Sequence, residues 1–241
     1  MRCSLLAYAA LLAHLVVWAQ QPAANGAHDS QHPSAAQSPA SSEEIWSDLI
    51  AGNRRFVAGK PMARDLPALR DSLAKSQHPR VVVLSCSDSR VGPELLFDQN
   101  LGDLFVVRSA GNIADAIGLG SIEYAVDHLG SSVLVVLGHT KCGAVAAACS
   151  GDKMPTTNLQ AIVDKIGPAV AKAAAVAKGE ELMEAAIKQN IHQSAQDVLA
   201  NSQMLRKFVA QGKLTIFEAE YRLETGEVIR LDHIQSSAKS H

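Results

Sequence analysis

Three side chains capable of chemistry stand at alternate positions directly after a run of apolar residues. Cys86, Asp88 and Arg90 are spaced i, i+2 and i+4, so in an extended chain their side chains point to one face. A thiolate is a metal ligand, and a carboxylate held by a guanidinium is a fixed hydrogen-bond acceptor. The spacing therefore favours a site at a strand end over three unrelated surface residues.

Two more residues of metal-binding types follow another apolar segment. His139 and Cys142 come directly after SSVLVVLG, residues 131–138. With Cys86 they form a set of two thiolates and one imidazole, which is typical of catalytic zinc with an open fourth position. Structural zinc usually has four protein ligands, often from Cys-x2-Cys pairs, and the sequence contains no such pair. We therefore predict one catalytic Zn²⁺ ion per subunit.

Asp88 is predicted to act beside this metal. Two thiolates offset the charge of Zn²⁺ and acidify a bound water molecule less than neutral imidazoles do, so an acceptor is needed to hold hydroxide. Asp88 lies two residues from Cys86 and can accept that hydrogen bond, while Arg90 keeps the carboxylate ionised and oriented. Asp88 and Arg90 are thus predicted catalytic residues. The alternative is that Asp88 itself binds the zinc and closes the site.

The elements that must position these residues are strands alternating with helices. β-branched apolar runs predict buried strands at 80–86, 103–109 and 131–139. Helical periodicity predicts helices at 43–58, after Pro67, at 118–130 and at 142–151. This alternation indicates an α/β fold with a mainly parallel sheet and flanking helices, in which ligands bind at the carboxyl ends of strands.

The segments that follow complete the predicted fold. Residues 157–211 are rich in Ala, Lys, Glu and Gln, which predicts helices broken near Gly167-Pro168 and near Gly179. Residues 214–232 are expected to form a C-terminal hairpin with Thr225-Gly226 as its turn. Upstream, Ser41 and Glu44 have the spacing of a capping box for the first helix.

The N-terminal segment has the layout of a secretory signal peptide. Within residues 1–19, Arg2 precedes apolar residues through Trp18, and Val17-Trp18-Ala19 offers a cleavage pattern. We therefore expect an exported protein, periplasmic or secreted, with no stable membrane association after cleavage. An uncleaved anchor and a buried helix are the alternatives, although the apolar run is shorter than the ~20 residues of a membrane span.

The composition of the rest of the chain predicts a linker, one domain and a short tail. Residues 20–41 are rich in Pro, Ala, Ser and Gln and predict a flexible linker, followed by one zinc-dependent domain over residues 42–235 and a tail at 236–241. The 241 residues are 47% hydrophobic, enough for one sizeable core, and the net charge of −2 argues against a nucleic-acid partner.

Export would also affect whether the cysteines form a disulfide, because the compartment outside the cytoplasm is oxidising. Cys86, Cys142 and Cys149 remain after removal of residues 1–19, an odd number in an oxidising compartment. A disulfide between two of them would leave one free thiol. The alternative is that Cys86 and Cys142 hold a metal while Cys149 is a small buried hydrophobe.

The motifs CSDSR (86–90) and HTKC (139–142) resemble those of β-class carbonic anhydrases. The similarity extends over residues 43–232 and includes FVVRSAGN (105–112). The resemblance implies reversible hydration of CO₂ to bicarbonate and a proton by zinc-bound hydroxide. It also implies zinc binding by Cys86, His139 and Cys142, a catalytic Asp88–Arg90 dyad, and an inactive closed form in which Asp88 binds the metal.

The resemblance has consequences for partners and for rival functions. It implies an N-terminal helical arm that wraps a neighbouring subunit, and hence a homodimer or homotetramer with the active site near the interface. Val83 stands where the allosteric subgroup carries Trp, so no second bicarbonate pocket is expected. Gln99 or Asn100 could match a substrate-holding Gln of some members.

Hydrolysis of CS₂ or COS on the same fold is the rival activity. A zinc- or redox-sensing module is a second alternative, which the Asp88–Arg90 dyad disfavours.

Overall fold

A single five-stranded sheet forms the centre of the molecule. The computed structural model describes residues 40–231, so the predicted signal peptide, nearly all of the linker and the tail lie outside the described residues. The strands are β1 (Val81–Cys86), β2 (Leu104–Ser109), β3 (Val133–His139), β4 (Thr215–Tyr221) and β5 (Val228–Arg230). Their order is β2-β1-β3-β4-β5. Strands β1 to β4 run parallel and β5 runs antiparallel to β4, which confirms the predicted parallel sheet and terminal hairpin.

Helices flank this sheet. They are α1 (Ser42–Val57), α2 (Leu66–Leu73), α3 (Pro93–Leu96), α4 (Ala116–Asp127), α5 (Gly143–Ser150), α6 (Thr157–Ala174), α7 (Glu180–Asn201) and α8 (Gln203–Ala210), with a short 3₁₀ turn at Ala110–Asn112. The predicted capping box at the start of α1 is present, since Ser41 and Glu44 bond to each other's backbone N–H. No helix within residues 40–231 has the length and apolar character needed to cross a membrane.

The prediction of a break at Gly167-Pro168 is wrong, because α6 continues through Pro168. Pro168 and Asp164, whose carbonyl would have accepted the missing N–H, are both exposed, so water can satisfy that carbonyl. Burial of Ile166 and Ala169 on either side keeps the helix on the core. The break near Gly179 is confirmed.

The chain also breaks where the sequence analysis placed no boundary. Ser202 ends α7 and caps α8, its side chain accepting a hydrogen bond from the N–H of Leu205. The signal was present in the sequence, since Ser is a favoured N-cap residue. It was hidden within a long stretch of good helix formers.

Both faces of the central strands are buried, which explains their continuous apolar runs. On one face, Leu84 and Val136 pack with the buried residues of α4, α5 and α7. On the other face, Val83 and Val135 pack with Trp46 of α1. Strands β1 and β3 are neighbours in register, so their carboxyl ends lie at the same edge of the sheet.

Candidate metal centre

The three predicted metal ligands come together at this edge. Cys86 is the last residue of β1, His139 is the last residue of β3, and Cys142 is the N-cap of α5. Their ligand atoms all lie within 4.8 Å of one another. The side chains are buried, with relative exposures of 5%, 0% and 1%. Among residues 40–231 this is the one cluster of His, Cys, Asp and Glu with such geometry.

The imidazole of His139 is oriented as a metal ligand. Its Nδ1 lies 2.8 Å from the carbonyl oxygen of Thr140. A carbonyl oxygen can only accept, so Nδ1 carries a proton, and in the neutral imidazole Nε2 then keeps its lone pair. Nε2 is buried without a hydrogen-bond partner, which is costly for a polar atom. A cation beside the two sulfurs would satisfy it, so the residues present fit a zinc ion.

The surroundings of Cys86 and Cys142 favour a thiolate on one of the two sulfurs. The Sγ atoms of Cys86 and Cys142 are 4.0 Å apart, and both cysteines are free thiols. The Cys142 thiol lowers the pKa of Cys86, and so do the His139 imidazole and the N–H groups of Gly111 at 3.3 Å and Asp88 at 3.4 Å. The Cys86 thiolate and burial in turn raise the pKa of Cys142. One charge is therefore stable on the pair already, and a divalent cation would stabilise the second.

Asp88 and Arg90 form a tight pair beside the cluster. Arg90 donates to Asp88 Oδ1 from its backbone N and its Nε, both at 2.9 Å, and to Oδ2 from Nη2 at 2.7 Å. These bonds hold the pKa of Asp88 well below its usual range. Oδ2 also lies 3.8 Å from His139 Nε2. The carboxylate thus borders the three ligand atoms, with both its oxygens engaged by Arg90.

The backbone conformation that brings Asp88 and Arg90 together differs from the predicted one. The sequence analysis assumed an extended chain through residue 90, but β1 ends at Cys86. A turn follows, closed by a hydrogen bond of 2.9 Å from Val91 N to the Asp88 carbonyl oxygen. This turn folds Arg90 back onto Asp88, so proximity comes from the turn and not from strand alternation.

Arg108 on β2 is a residue near the site to which the sequence analysis gave no role. Its Nε donates to the carbonyl oxygen of Cys86 at 3.0 Å, and its Nη2 donates to that of Asp88 at 2.7 Å. Arg108 thereby fixes the backbone between a predicted ligand and its predicted partner. A charged Arg directly after the apolar residues of a predicted strand, within FVVRSAGN, was a signal that this position is unusual, although it did not indicate the partners.

The loop that joins the other two ligands is held from the hairpin. Lys141, between His139 and Cys142, has a positive φ of 55°, a conformation that costs energy for a residue other than glycine. Glu224 binds this loop twice: it pairs with Lys141 Nζ at 2.7 Å and accepts from Thr140 Oγ1 at 2.9 Å. These contacts also escaped the sequence analysis, because no local pattern connects residues so far apart.

Three other residues singled out from the sequence have local roles. The side chain of Gln99 donates to the carbonyl oxygen of Phe97 at 2.8 Å, and the backbone N–H of Asn100 donates to Asp103 Oδ2 at 2.8 Å. Cys149 is half-buried against the core cluster, and burial raises the pKa of its thiol. None of these contacts involves the three ligand atoms.

Comparison with known proteins identifies the family. The sequence model described as "Carbonic anhydrase" matches residues 81–228, more than half of the chain. Carbonic anhydrase 2 of Mycobacterium tuberculosis is 38% identical over 195 residues, covering 78% of this chain and 92% of that protein. The solved β-carbonic anhydrase CcaA superposes with a TM-score of 0.64 at 28% identity, covering 81% of this chain and 93% of that one. The chain belongs to the β-carbonic anhydrase family.

A further solved β-carbonic anhydrase has a similar fold. One of two tetrameric β-carbonic anhydrases from Sordaria macrospora superposes with a TM-score of 0.63 at 25% identity, covering 78% of this chain and 97% of that chain. The region matched by the family model contains Cys86, Asp88, His139 and Cys142. The buried ligand cluster is therefore part of the segment that makes the chain a β-carbonic anhydrase.

Proposed function

We propose that this protein is a carbonic anhydrase that interconverts CO₂ and bicarbonate at a zinc ion held by Cys86, His139 and Cys142. The observation that carries the proposal is the buried cluster of two sulfurs and one unpartnered imidazole nitrogen. It lies beside a carboxylate that is already paired with an arginine. Membership of the β-carbonic anhydrase family supports the reaction, CO₂ and water giving bicarbonate and a proton.

Zinc is the metal that suits these ligands, since tetrahedral sites of thiolate and imidazole favour it. In carbonic anhydrases the metal makes a coordinated water molecule acidic enough to yield hydroxide near neutral pH. Three protein ligands leave one position for that water. The N–H groups of Gly111 and Asp88 donate to Cys86, and the Thr140 carbonyl oxygen fixes the ring of His139. These contacts support ligand geometry.

Asp88 is proposed to orient the oxygen that attacks CO₂. Arg90 keeps the Asp88 carboxylate ionised, so Asp88 can only accept a hydrogen bond. A water molecule or hydroxide that donates to Asp88 has its lone pairs turned away from the carboxylate and toward the substrate. In this arrangement Asp88 is a catalytic residue outside the metal's ligand set. Its binding to the metal would compete with the hydrogen bonds that Arg90 makes to both carboxylate oxygens.

Assembly into a homodimer or homotetramer is proposed on two grounds. One solved relative is a tetramer by its own description. In addition, β2 is an edge strand, and the large apolar side chains of Leu95 and Ile117 are 71% and 81% exposed. Exposed apolar surface next to an open strand edge is typical of a subunit interface. Light scattering of the purified protein tests this, and a monomer at micromolar concentration would contradict it.

Export is proposed from residues 1–19 alone. Cleavage after Ala19 would leave Gln20 as the first residue of the mature chain. N-terminal sequencing of the protein recovered from a periplasmic or secreted fraction tests both the export and the cleavage position. Recovery of an intact Met1 terminus in the membrane fraction would favour the uncleaved anchor instead.

The activity itself is tested by stopped-flow CO₂ hydration with zinc quantified in the same sample. We expect close to one zinc per chain and rapid turnover that is lost on chelation and restored by added zinc. A zinc-loaded protein that does not hydrate CO₂ at neutral or alkaline pH would contradict the proposal. The same sample would then be assayed for hydrolysis of CS₂ and COS.

A further inference from the structure

Asn190 on α7 is hydrogen-bonded to Gly111, whose backbone in turn is hydrogen-bonded to the proposed metal ligand Cys86. Asn190 is 1% exposed, and its Nδ2 donates a hydrogen bond of 2.7 Å to the carbonyl oxygen of Gly111. The N–H of the same Gly111 donates to Cys86 Sγ at 3.3 Å. Gly111 thus connects a side chain distant in sequence to one of the two sulfurs.

The residue in the middle of this connection depends on outside support. Gly111 has a φ of +74°, which is accessible at low cost only to glycine. A Cβ atom there would lie 2.7 Å from Ile166 Cδ1 and 3.2 Å from Ala144 Cβ, so no side chain can be added to hold the segment. Gly111 is therefore held through its backbone, and the bond from Asn190 to its carbonyl oxygen fixes the peptide plane that follows Gly111, which limits how the residue and its N–H can rotate.

Asn190 is a polar residue at a buried position of α7. On α7, the nearby Ala186, Ile187 and Ile191 are buried and apolar, and the buried polar residues Gln193 and Ser194 hydrogen-bond to other segments. A buried amide among them costs free energy unless its hydrogen bonds are made. Its bond to Gly111 is one that an apolar residue of the same size could not make. The polar side chain is thus accounted for by the Gly111 backbone, not by the packing of α7.

Hydrogen bonds to a metal-bound thiolate withdraw charge from the sulfur and hold it in place. Residues that orient metal ligands from outside typically change metal affinity or activity by 10–100-fold when they are replaced. At Cys86 this donor is a backbone N–H, which substitution of Gly111 itself cannot remove. It can be altered through the residue that holds the backbone.

We propose that Asn190 is a positioning residue for the metal centre, acting by fixing Gly111 so that its N–H stays directed at Cys86 Sγ. This inference rests on the proposed function, because it requires a metal ion on Cys86. Asn190 itself touches neither the ligand atoms nor the substrate. Its effect is expected in the strength and electronic character of the metal–sulfur bond.

The test compares Asn190→Leu with Ser194→Ala in the full-length holoenzyme. Ser194 lies one turn further along α7, is also buried, and accepts a hydrogen bond of 3.5 Å from Asn112, not from Gly111. Zinc affinity is measured by chelator competition. The cobalt-substituted proteins are then compared by the position of the sulfur-to-cobalt charge-transfer band, which a purely structural role of Asn190 would not move.

We expect Asn190→Leu to bind zinc roughly tenfold or more weakly than wild type, with the cobalt band shifted to longer wavelength because the sulfur becomes a better electron donor. Ser194→Ala should match wild type in both. If Asn190→Leu does not fold, Asn190→Ser, whose hydroxyl is too short to reach Gly111, should show the same two changes.

The possible results separate this inference from the proposed function. Wild-type protein that binds zinc and hydrates CO₂, with an Asn190 variant indistinguishable from Ser194→Ala, would overturn the inference and leave the function standing. Wild-type protein that folds but binds neither zinc nor cobalt would overturn both.

Discussion

The two strand ends that build the metal centre are stabilised in different ways. At the end of β1, Asp88 and Arg90 pair within a single turn directly after Cys86. At the end of β3, the loop from His139 to Cys142 has no comparable partner within itself and is bound by Glu224, more than eighty residues further along the chain. The side-chain pair at the first end is local in sequence, although Arg108 also holds its backbone, whereas the loop at the second end is held by a residue distant in sequence.

This difference has a consequence for mutational effects. Changes at the β1 turn should affect turnover while leaving the metal in place, because Asp88 and Arg90 lie beside the ligand atoms. Changes at the β3 loop should affect the metal, because the loop carries two of its three proposed ligands. The predictions below follow this division, from the largest expected effect to the smallest.

Cys142→Ser is expected to have the largest effect. A catalytic zinc site with three protein ligands cannot readily lose one, and serine is a poor zinc ligand. The variant should lose most of its zinc, and CO₂ hydration should fall by several orders of magnitude. Metal analysis and stopped-flow assays check this. Cys149→Ser, on the same helix but outside the cluster, is the matched control and should keep its zinc.

Arg90→Ala should keep its zinc and lose turnover by roughly 10–100-fold. Arg90 is the main cause of the lowered pKa of Asp88, so in the variant that pKa returns toward its ordinary value. The carboxylate then protonates at a higher pH, and activity should be lost earlier as the pH falls. A pH–rate profile measures this, with Arg70→Ala, an exposed arginine, as control. Wild-type turnover in Arg90→Ala would refute the dyad.

Glu224→Gln should weaken zinc binding by up to about fivefold, as expected for an exposed ion pair. Lys141 and Thr140 lower the pKa of Glu224 to about 2. The ion pair is therefore complete above the ordinary value of 4.5 and is lost as the pH falls toward about 2. The difference in Tm between wild type and variant should shrink over that window. Unchanged zinc affinity would show that Glu224 is not needed to hold the β3 loop, which also bonds to Tyr221 and Leu223 through Thr140.

Ser202→Ala tests a region remote from both strand ends. Its side chain caps α8 and donates to Glu123 at 2.5 Å. Loss of the cap should lower the free energy of unfolding by about 1–2 kcal/mol, as measured by urea denaturation. Turnover per bound zinc should not change. A large loss of turnover would mean that α7 and α8 transmit changes to the metal centre more widely than proposed.

Much of the fold and the residues of the candidate metal cluster could be predicted from the sequence because both have local signals. The apolar runs ending at Cys86 and His139 predicted parallel strands, and the residue types at their ends predicted a metal site there. The outer contacts could not be predicted in this way. Arg108, Asn190 and Glu224 reach the site through contacts that span 20 to 84 residues of sequence, and no local pattern encodes such a pairing. The helix break predicted at Pro168 was a further error, because local sequence does not show that Asp164 and Pro168 are exposed, where water can satisfy the carbonyl that the proline leaves unpaired.

The central claim is that a zinc ion is held by Cys86, His139 and Cys142 with Asp88 outside its ligand set. A crystal structure of the holoenzyme at neutral pH, with anomalous diffraction recorded at the zinc edge, tests it most directly. The account predicts one anomalous peak per chain, bonded to both Sγ atoms and to His139 Nε2, with Asp88 paired with Arg90. A peak bonded to Asp88 with that pair broken, or a peak elsewhere, would contradict it.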